Sequence, residues 1–518
     1  MHSVRRNWLA AVPIIMAAVA AVALLQGRAS GPIWVLALIG TLAGCVALDR
    51  RFRQSLGRIV SAAWSQANAF PLDRARIPWR AVLVLVIVPD ALLLLARGGG
   101  VQSGDSRPVV MTAVSLTGDG NAELSELVED YSRNHLFVAE GELPYFVLRR
   151  PTGLYSHYPS GMVPFALPVV LAARALGADL FDPSVHDRLE KATASLVAAA
   201  CLGLFFALAL HVVPIRTAYV ATCILATGSV MYSTVGQALW QHGGVILWTE
   251  TLLLAEFRAW RNPSWRTAAI QGTACALMLA CRLSAAVIVV AFGVWLLIRS
   301  PRRAAAVAGL ACLVAAPWAA VNWSIYASPM GPMAVQTQGT FWSFTDATAW
   351  AGIFVSPTHG VLVYQPWLLV ALLGVVPFFR GKRSPARAAL PPGWRAWALA
   401  VIGLHMLLIG GWWCWWGGWC WGSRLASEAI PLAALLMLQP LAALLAERRG
   451  RRLVMALALA SALLHVPSVW LRQWRWYGGM EAGEYGDALW HWSAPPFLYP
   501  LGSVHLVERN SFRSSQRK

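Results

Sequence analysis

Residues 81–97 read AVLVLVIVPDALLLLAR, an apolar run long enough to cross the hydrocarbon core of a bilayer, and they predict a membrane-spanning helix. The rest of the chain has the same character. Of its 518 residues, 58% are hydrophobic and 13% are charged, which is too little charge to cover the surface of a soluble globule. The sequence therefore predicts an all-α polytopic membrane protein.

Apolar runs of this kind recur along the chain, and thirteen of them are predicted to span the membrane. With the N-terminus inside, the arginine-rich connections fall on the cytoplasmic side, as the positive-inside rule requires. The predicted spans are 8–26, 32–48, 81–97, 189–211, 217–233, 243–257, 267–281, 283–298, 304–322, 362–379, 396–412, 428–446 and 452–471.

This pattern divides the chain into three parts. Residues 1–78 form an N-terminal extension of two spans and an arginine-rich cytoplasmic loop, residues 79–471 form a transmembrane core, and residues 472–518 form an external tail. The first run also fits a cleaved signal peptide, but the second span that follows almost at once favours an uncleaved hairpin.

The formal net charge of +18 is explained by the same topology. In a soluble protein such a charge would suggest binding to nucleic acid. Here most arginines sit in short loops between apolar runs, where membrane orientation accounts for them. Membrane lipids, and no nucleic acid, are therefore the expected surroundings.

The eight cysteines show no spacing typical of a zinc site or a redox motif. Cys414 and Cys420 flank a Trp- and Gly-rich loop that is predicted to be external, so they form either a disulfide or two free thiols. The other six lie in or beside apolar runs and are explained as small hydrophobic packing residues.

A long external loop at 98–188 is the main departure from apolar sequence. Within it, Gly161–Leu176 is apolar, but Pro164 and Pro168 weaken a regular helix. Counting this segment as a span would also reverse the side of every later arginine cluster. It is therefore expected to form an interfacial or re-entrant helix.

Asp119 is the candidate catalytic residue of this loop. It stands in a Gly-Asp-Gly turn, and a carboxylate at the outer headgroup level can take the proton from an acceptor hydroxyl while a sugar carbon leaves a phosphate. Alternatively, Asp119 or Asn121 caps an amphipathic helix expected at Ala122–Tyr131. Glu123 is a candidate partner for sugar, acceptor or metal, and a divalent metal stays open as the only cofactor.

Two further groups of residues are candidates for binding a sugar or an acceptor. His157 and Tyr158 lie in the segment LYSHYPSG, and Gln241 and His242 lie in ALWQHG. Both groups stand at predicted external ends of apolar segments and combine aromatic faces with hydrogen-bonding groups. An ordinary interfacial aromatic belt explains them equally well.

Four basic residues are candidates for binding the phosphate of a lipid donor. Arg424 and Arg282 are isolated arginines at predicted span ends, Lys191 opens a span, and His359 precedes another. An isolated cation at the outer membrane face needs a partner, which a lipid phosphate would supply. The alternative is that the arginines extend to lipid headgroups and that the histidine is satisfied locally.

The order of these motifs resembles bacterial GT-C integral-membrane glycosyltransferases, related to protein mannosyltransferases and to the aminoarabinose transferase of lipid A. Each motif alone is weak, and together they cover roughly residues 80–450. The matching segments are LTGD at Leu116–Asp119, LYSHYPSG at Leu154–Gly161, ALWQHG at Ala238–Gly243, NWSIYASPMG at Asn322–Gly331, FVSPTHGVLVYQP at Phe354–Pro366 and WGSRLASEAIP at Trp421–Pro431.

The resemblance implies an inverting transfer of a sugar from a polyprenyl-phosphate donor to a lipid-linked glycan or protein acceptor. It implies Asp119 as the base, Arg424 as a phosphate contact, and an extracytoplasmic site in a bacterial inner membrane. Two departures matter: Gly120 stands where many relatives have a second acid, and His359 stands where many have an arginine. The first bears on metal dependence and the second on phosphate binding.

Other functions compete with this interpretation. A lipid or glycan transporter or flippase would also need many spans, but it would require polar groups in the middle of them, and few are visible. Asp90 is the clearest mid-span acid, while Glu250 and Glu256 lie close to the cytoplasmic half. A polymerase or ligase that uses a diphosphate-linked glycan would be expected to carry its large external loop late in the chain. The long loop of this chain lies early.

Overall fold

The computed structural model describes residues 77–96, 103–133, 143–333, 342–379, 391–418 and 420–469, with short pieces at 54, 58–62, 64–65, 489–492 and 495–501. These residues are mostly helical, as expected for an all-α membrane protein. Five of the described helices are long and apolar enough to cross a membrane, namely Trp79–Ala96, Pro183–Ala209, Pro301–Tyr326, Trp394–Gly411 and Arg424–Ala446. The predicted spans at 8–26 and 32–48 and most of the tail lie outside the described residues.

The principal helices pack around one apolar core. They are α1 (Trp79–Ala96), α2 (Arg107–Gly118), α3 (Ser125–Arg133), α4 (Val163–Ala175), α5 (Pro183–Ala209), α6 (Ile215–Thr227), α7 (Gln241–Arg261), α8 (Trp265–Cys281), α9 (Ala286–Arg299), α10 (Pro301–Tyr326), α11 (Ala347–Val355), α12 (Leu368–Phe379), α13 (Trp394–Gly411), α14 (Ile430–Ala446) and α15 (Arg448–His465). Two strands, β1 (Val147–Arg150) and β2 (Gly153–Ser156), form an antiparallel hairpin.

The segment predicted to be the external loop, 98–188, contains more regular structure in its described residues than the sequence predicts. The expected amphipathic helix is α3, which begins at Ser125 instead of Ala122. Asp119 does not cap it, because Asp119 ends the preceding helix α2 and donates its own N–H to Ser115 O at 2.8 Å. The apolar segment at Gly161–Leu176 forms the helix α4, which packs against α2 and α5.

The β-hairpin is docked on the C-terminal end of the long apolar helix α10. Arg150 donates hydrogen bonds to Ile325 O at 3.2 Å and to Tyr326 O at 3.0 Å, so its positive charge satisfies carbonyls at the negative end of the helix dipole. Tyr326 in return donates its hydroxyl to Ser156 O at 2.8 Å. These bonds fix the position of the residues that follow β2.

The turn after the hairpin packs closely against the end of α8. A Cβ on Gly161 would lie 2.3 Å from Cys281 N, so only glycine fits this contact. Trp318 of α10 donates its indole N–H to Ser160 Oγ at 3.1 Å and holds the same turn from another side. The packing brings the segment after β2 beside Arg282, which ends α8.

The start of α2 is fixed by buried charges. Arg107 is 2% exposed and forms ion pairs with Asp187 and with Glu190, the latter at 3.7 Å. Glu190 also accepts the Ser106 hydroxyl and the N–H of Leu239, at 3.1 Å for the latter. One carboxylate on α5 therefore joins the loop before α2 to the turn before α7, and both segments carry residues of the site described next.

Candidate functional site

The main cavity among the described residues has a volume of about 520 Å³. It lies where the loop before α2, the segment after β2, the start of α7, the turn after α8, and the helices α9 and α13 meet. Polar and charged side chains form one part of its wall, namely Asp105, His157, Tyr158, Gln241, His242, Arg282, Ser284, His405 and Arg424. Apolar and aromatic side chains form the rest.

Asp105 is the carboxylate at the centre of the polar wall. Its Oδ1 accepts hydrogen bonds from the hydroxyls of Tyr158 at 2.8 Å and Tyr145 at 3.1 Å. Its Oδ2 accepts from Arg424 Nη1 at 2.8 Å. A carboxylate has roughly four acceptor positions, so these three bonds leave one for a ligand. The side chain is 23% exposed, which leaves it reachable from the cavity.

These contacts determine the charge of Asp105. Burial alone would raise the pKa of this carboxyl, but the charge of Arg424 and the hydrogen bonds from Arg424, Tyr158 and Tyr145 outweigh it and hold the pKa below its usual value. Asp105 is therefore ionised at neutral pH. Burial raises the pKa of both tyrosines most, and the negative charge of Asp105 raises it further. Tyr145 and Tyr158 therefore keep their hydroxyl protons and act as hydrogen-bond donors.

Arg424 and the backbone of Asp105 are held by the turn before α7. The Arg424 guanidinium carbon lies 4.9 Å from the centre of the Trp240 ring, a cation–π contact. Trp240 donates its indole N–H to Ser103 Oγ at 2.8 Å, and Gln241 Nε2 donates to Asp105 O at 3.2 Å. The acid and its counterion are thus oriented by the same pair of residues.

A second charged group lines the cavity around Arg282. The Arg282 side chain is 24% exposed, and its Nη1 lies 2.7 Å from His242 Nε2. Glu428, which is buried behind the cavity, lies 3.0 Å from His242 Nδ1 and 3.7 Å from His405 Nδ1. This arrangement gives the cavity a second cation beside Arg424.

The apolar wall runs from Arg282 along two neighbouring helices. Ala286 and Val287 of α9 and Leu408 and Ile409 of α13 line this part of the cavity. The same helices carry exposed apolar side chains, including Val290 (62% exposed) and Leu407 (45% exposed). Exposed apolar side chains of this kind are suited to contact with lipid tails.

Six of the residues predicted from the sequence line this one cavity. They come from distant parts of the chain and are His157, Tyr158, Gln241, His242, Arg282 and Arg424. His157 points its Nδ1 to Tyr145 O at 3.2 Å, and burial lowers the pKa of its imidazole. Six of the sequence-predicted residues thus lie around one cavity, and Asp119 is not among them.

The prediction that Asp119 is the acid of this site is not supported by its position. Asp119 is exposed at the C-terminal end of α2 and is not among the residues that line the cavity. Asp105, which shortly precedes the same helix, is the acid that contacts Arg424. The Gly-Asp-Gly turn suggested a functional loop, whereas it serves as the end of a helix.

Three other candidates have structural contacts instead of a place in the cavity. Glu123 accepts from Leu154 N at 2.6 Å and Ser125 N at 2.9 Å, and so fastens the start of α3 to β2. Lys191 is buried and donates to Gly236 O at 2.8 Å and to Gln237, which secures the turn before α7.

His359 is the third of these candidates. It is 2% exposed and hydrogen-bonds Thr358 Oγ1 at 2.8 Å. Burial lowers the pKa of His359 to about 3, so it is uncharged at neutral pH and cannot supply a cation for a phosphate. His359 does not line the cavity, so its predicted role at the donor phosphate gains no support there.

The sequence interpretation missed Asp105, Tyr145, His405 and Glu428. A signal existed for Asp105, because SGDSRP places an acid close after α1 and directly before the helix start at Arg107. Glu428 lies within the quoted motif WGSRLASEAIP, where it coincides with the predicted start of the apolar span 428–446. Tyr145 and His405 have no distinctive sequence context.

Two chemical alternatives left open by the sequence can now be described. Among the described residues, no group of three or more His, Cys, Asp or Glu side chains is arranged to hold a metal ion. Cys414 and Cys420 are free thiols, so the two do not form a disulfide.

Comparison with known proteins adds no assignment at this point: no family model matches the chain, and no curated protein is significantly similar to it. The functional interpretation therefore depends on the site itself.

The hydrogen bond from Tyr158 to Asp105 predicts how the pH profile will change in any reaction that uses Asp105 as a base. Tyr158→Phe removes a bond that lowers the pKa of Asp105, so that pKa rises. Because only the ionised carboxylate accepts a proton, the acid limb of the pH profile of kcat/KM is expected to move to higher pH, and the plateau to fall by about tenfold.

The matched control is Tyr155→Phe, since Tyr155 hydroxyl contacts Thr152 O and not Asp105. This variant should keep the wild-type profile. An acid limb that stays in place in Tyr158→Phe would show that this bond does not set the protonation of the acid.

Proposed function

We propose that the chain is a GT-C-type membrane glycosyltransferase that moves a sugar from a polyprenyl-phosphate donor to an acceptor hydroxyl at the extracytoplasmic face of a bacterial inner membrane. One observation carries the proposal: a single cavity joins an ionised carboxylate, two arginines and an apolar wall between membrane helices. These are the groups needed for a base, an anionic leaving group and a lipid chain.

Asp105 takes the role of general base in this proposal. The acceptor hydroxyl occupies the remaining acceptor position of Asp105 and attacks the anomeric carbon of the sugar. Its proton passes to Asp105, and the bond between the sugar carbon and the phosphate oxygen breaks. The attack from the side opposite the phosphate inverts the anomeric centre. Asp105 supports this role because it is ionised and reachable from the cavity.

Arg282 and Arg424 receive the departing phosphate. Polyprenyl phosphate gains negative charge as the bond breaks, and a nearby guanidinium stabilises that charge more in the transition state than in the bound donor. The apolar residues of α9 and α13 provide a path for the isoprenoid chain. Tyr158, Gln241 and the aromatic side chains Trp342, Trp412 and Trp413 border the remaining space for the sugar and acceptor.

The direct experiment uses the purified full-length chain in proteoliposomes with radiolabelled polyprenyl-phosphate sugars and an extract of envelope glycolipids and proteins as acceptor. The expected result is transfer of label to the acceptor together with release of polyprenyl phosphate. If the label moves only across the bilayer and stays on its original lipid, the protein is a lipid carrier and the proposed chemistry is wrong.

A further inference from the structure

Both ring nitrogens of His242 have hydrogen-bonding partners, and these partners determine which nitrogen carries the ring proton. Arg282 Nη1 lies 2.7 Å from Nε2 and 3.3 Å from Nδ1, and Glu428 Oε1 lies 3.0 Å from Nδ1. A guanidinium can only donate hydrogen bonds, so Nε2 must accept from Arg282. The ring proton is then on Nδ1 and is donated to Glu428. His242 is therefore a neutral ring that connects a carboxylate to a guanidinium.

Glu428 contacts this part of the cavity wall from behind. Its side chain is 1% exposed and does not line the cavity, whereas His242, Arg282 and His405 do. Besides the bond to His242, its Oε1 lies 3.6 Å from Arg282 Nε, and its Oε2 lies 3.7 Å from His405 Nδ1. A single buried carboxylate thus faces all three side chains.

Arg282 is held on two of its three guanidinium nitrogens. Nε donates to Ser284 Oγ at 2.7 Å and Nη1 is bound by His242. The residues described here provide no hydrogen bond to the third nitrogen, Nη2, and the side chain is partly exposed to the cavity. A guanidinium fixed in this way has lost its rotamer freedom before a ligand arrives, so ligand binding costs less entropy.

We propose that Glu428 is a positioning residue that fixes the neutral tautomer of His242 and, through it, sets Arg282 to bind the phosphate of the lipid donor and of its lipid-phosphate product. The identity of this anion rests on the proposed function. His242, assigned from the sequence to sugar or acceptor binding, here serves to orient an arginine. The chain Glu428, His242 and Arg282 acts as one unit.

The positioning role and a purely electrostatic role of Glu428 predict opposite results. Removing a buried negative charge next to Arg282 makes the cavity more positive, so charge alone would strengthen the binding of an anion. If Glu428 instead holds His242 and Arg282 in place, its loss weakens the binding. Glu428→Gln separates these cases because it changes the charge with little change in volume.

The experiment measures binding of polyprenyl phosphate without a sugar to the full chain in lipid nanodiscs. Glu428→Gln and His242→Gln are each expected to weaken binding by about tenfold, and the double variant should be no weaker than either single variant because both changes break one chain. Glu447→Gln is the control, since Glu447 is exposed at the end of α14. Unchanged or tighter binding in Glu428→Gln, or additive losses in the double variant, would overturn the proposal.

Kinetics provide a second readout and a check on folding. In Glu428→Gln the KM for the donor should rise by about tenfold, and kcat should fall as well, because Arg282 also stabilises the departing phosphate. The pH dependence of kcat should stay that of wild type, since Asp105 keeps its contacts, and a shifted acid limb would contradict a role that acts through Arg282. If no sugar is transferred but phosphate binding still depends on Glu428, the proposed function fails and this inference stands. If sugar transfer occurs but phosphate binding does not depend on Glu428, the proposed function stands and this inference fails.

Discussion

Asp105→Asn is expected to lower sugar transfer by about a thousandfold, within the range attributed to a general base. Asparagine keeps the size of the side chain and its ability to accept from Tyr158 and Tyr145, but it cannot take a proton from an acceptor hydroxyl. The fold should persist, because the ion pair between Arg107 of α2 and Asp187 of α5 is unchanged. The measurement is the initial rate of transfer in proteoliposomes.

The sharpest control for this variant is Asp119→Asn on the same helix. Asp119 is exposed at the other end of α2, so its variant should retain wild-type transfer. Loss of activity in Asp119→Asn together with retention in Asp105→Asn would restore the sequence-based assignment and reject the one drawn from the structure.

Arg424→Gln is expected to lower kcat/KM for the donor by about a hundredfold. The change removes a charge-assisted hydrogen bond and leaves the half-buried carboxylate of Asp105 without its counterion. It also raises the pKa of Asp105, because the charge of Arg424 is what chiefly opposes the effect of burial. The remaining activity should therefore be lost at low pH first and be best preserved at alkaline pH.

Two further variants serve as controls for Arg424→Gln. Arg424→Lys keeps the charge but loses the planar guanidinium over Trp240, so its activity should fall between those of wild type and Arg424→Gln. Arg149→Gln removes an exposed arginine of β1 and should change nothing. Full kcat/KM in Arg424→Gln would mean that neither the phosphate nor the acid depends on Arg424.

Five described helices that are long and apolar enough to cross a membrane were predictable from hydropathy, because burial in lipid demands continuous apolar runs. The run predicted at 396–412 is one of them, α13 (Trp394–Gly411), whereas the run predicted at 267–281 falls on α8 (Trp265–Cys281), which is not. The run predicted at 362–379 is interrupted after Tyr364, since Pro366 lacks an N–H to continue the helix. Among the described residues, the β-hairpin had no clear signal, because its strands are short and partly polar.

Several residues that line the cavity are among the sequence predictions, whereas the contacts between them are not. Tyr158 and Arg424 stand in motifs at span ends, where a polar side chain next to apolar sequence is unusual enough to be noticed. Which acid accompanies them depends on how the residues directly before α2 are held against α5. That geometry is set by Arg107 and Glu190, whose pairing across 83 positions is invisible in a single sequence. The choice of Asp119 followed a local motif and missed this long-range contact.

Asp105 and Arg424 are 319 positions apart in the chain. During insertion into the membrane, the early segment with the acid leaves the translocation machinery long before its cationic partner has been synthesised. The pair can form only after residue 424 has been synthesised. On the proposed function, the site is consequently completed late, and a fragment that stops short of residue 424 should be inert even if its first helices are correctly inserted.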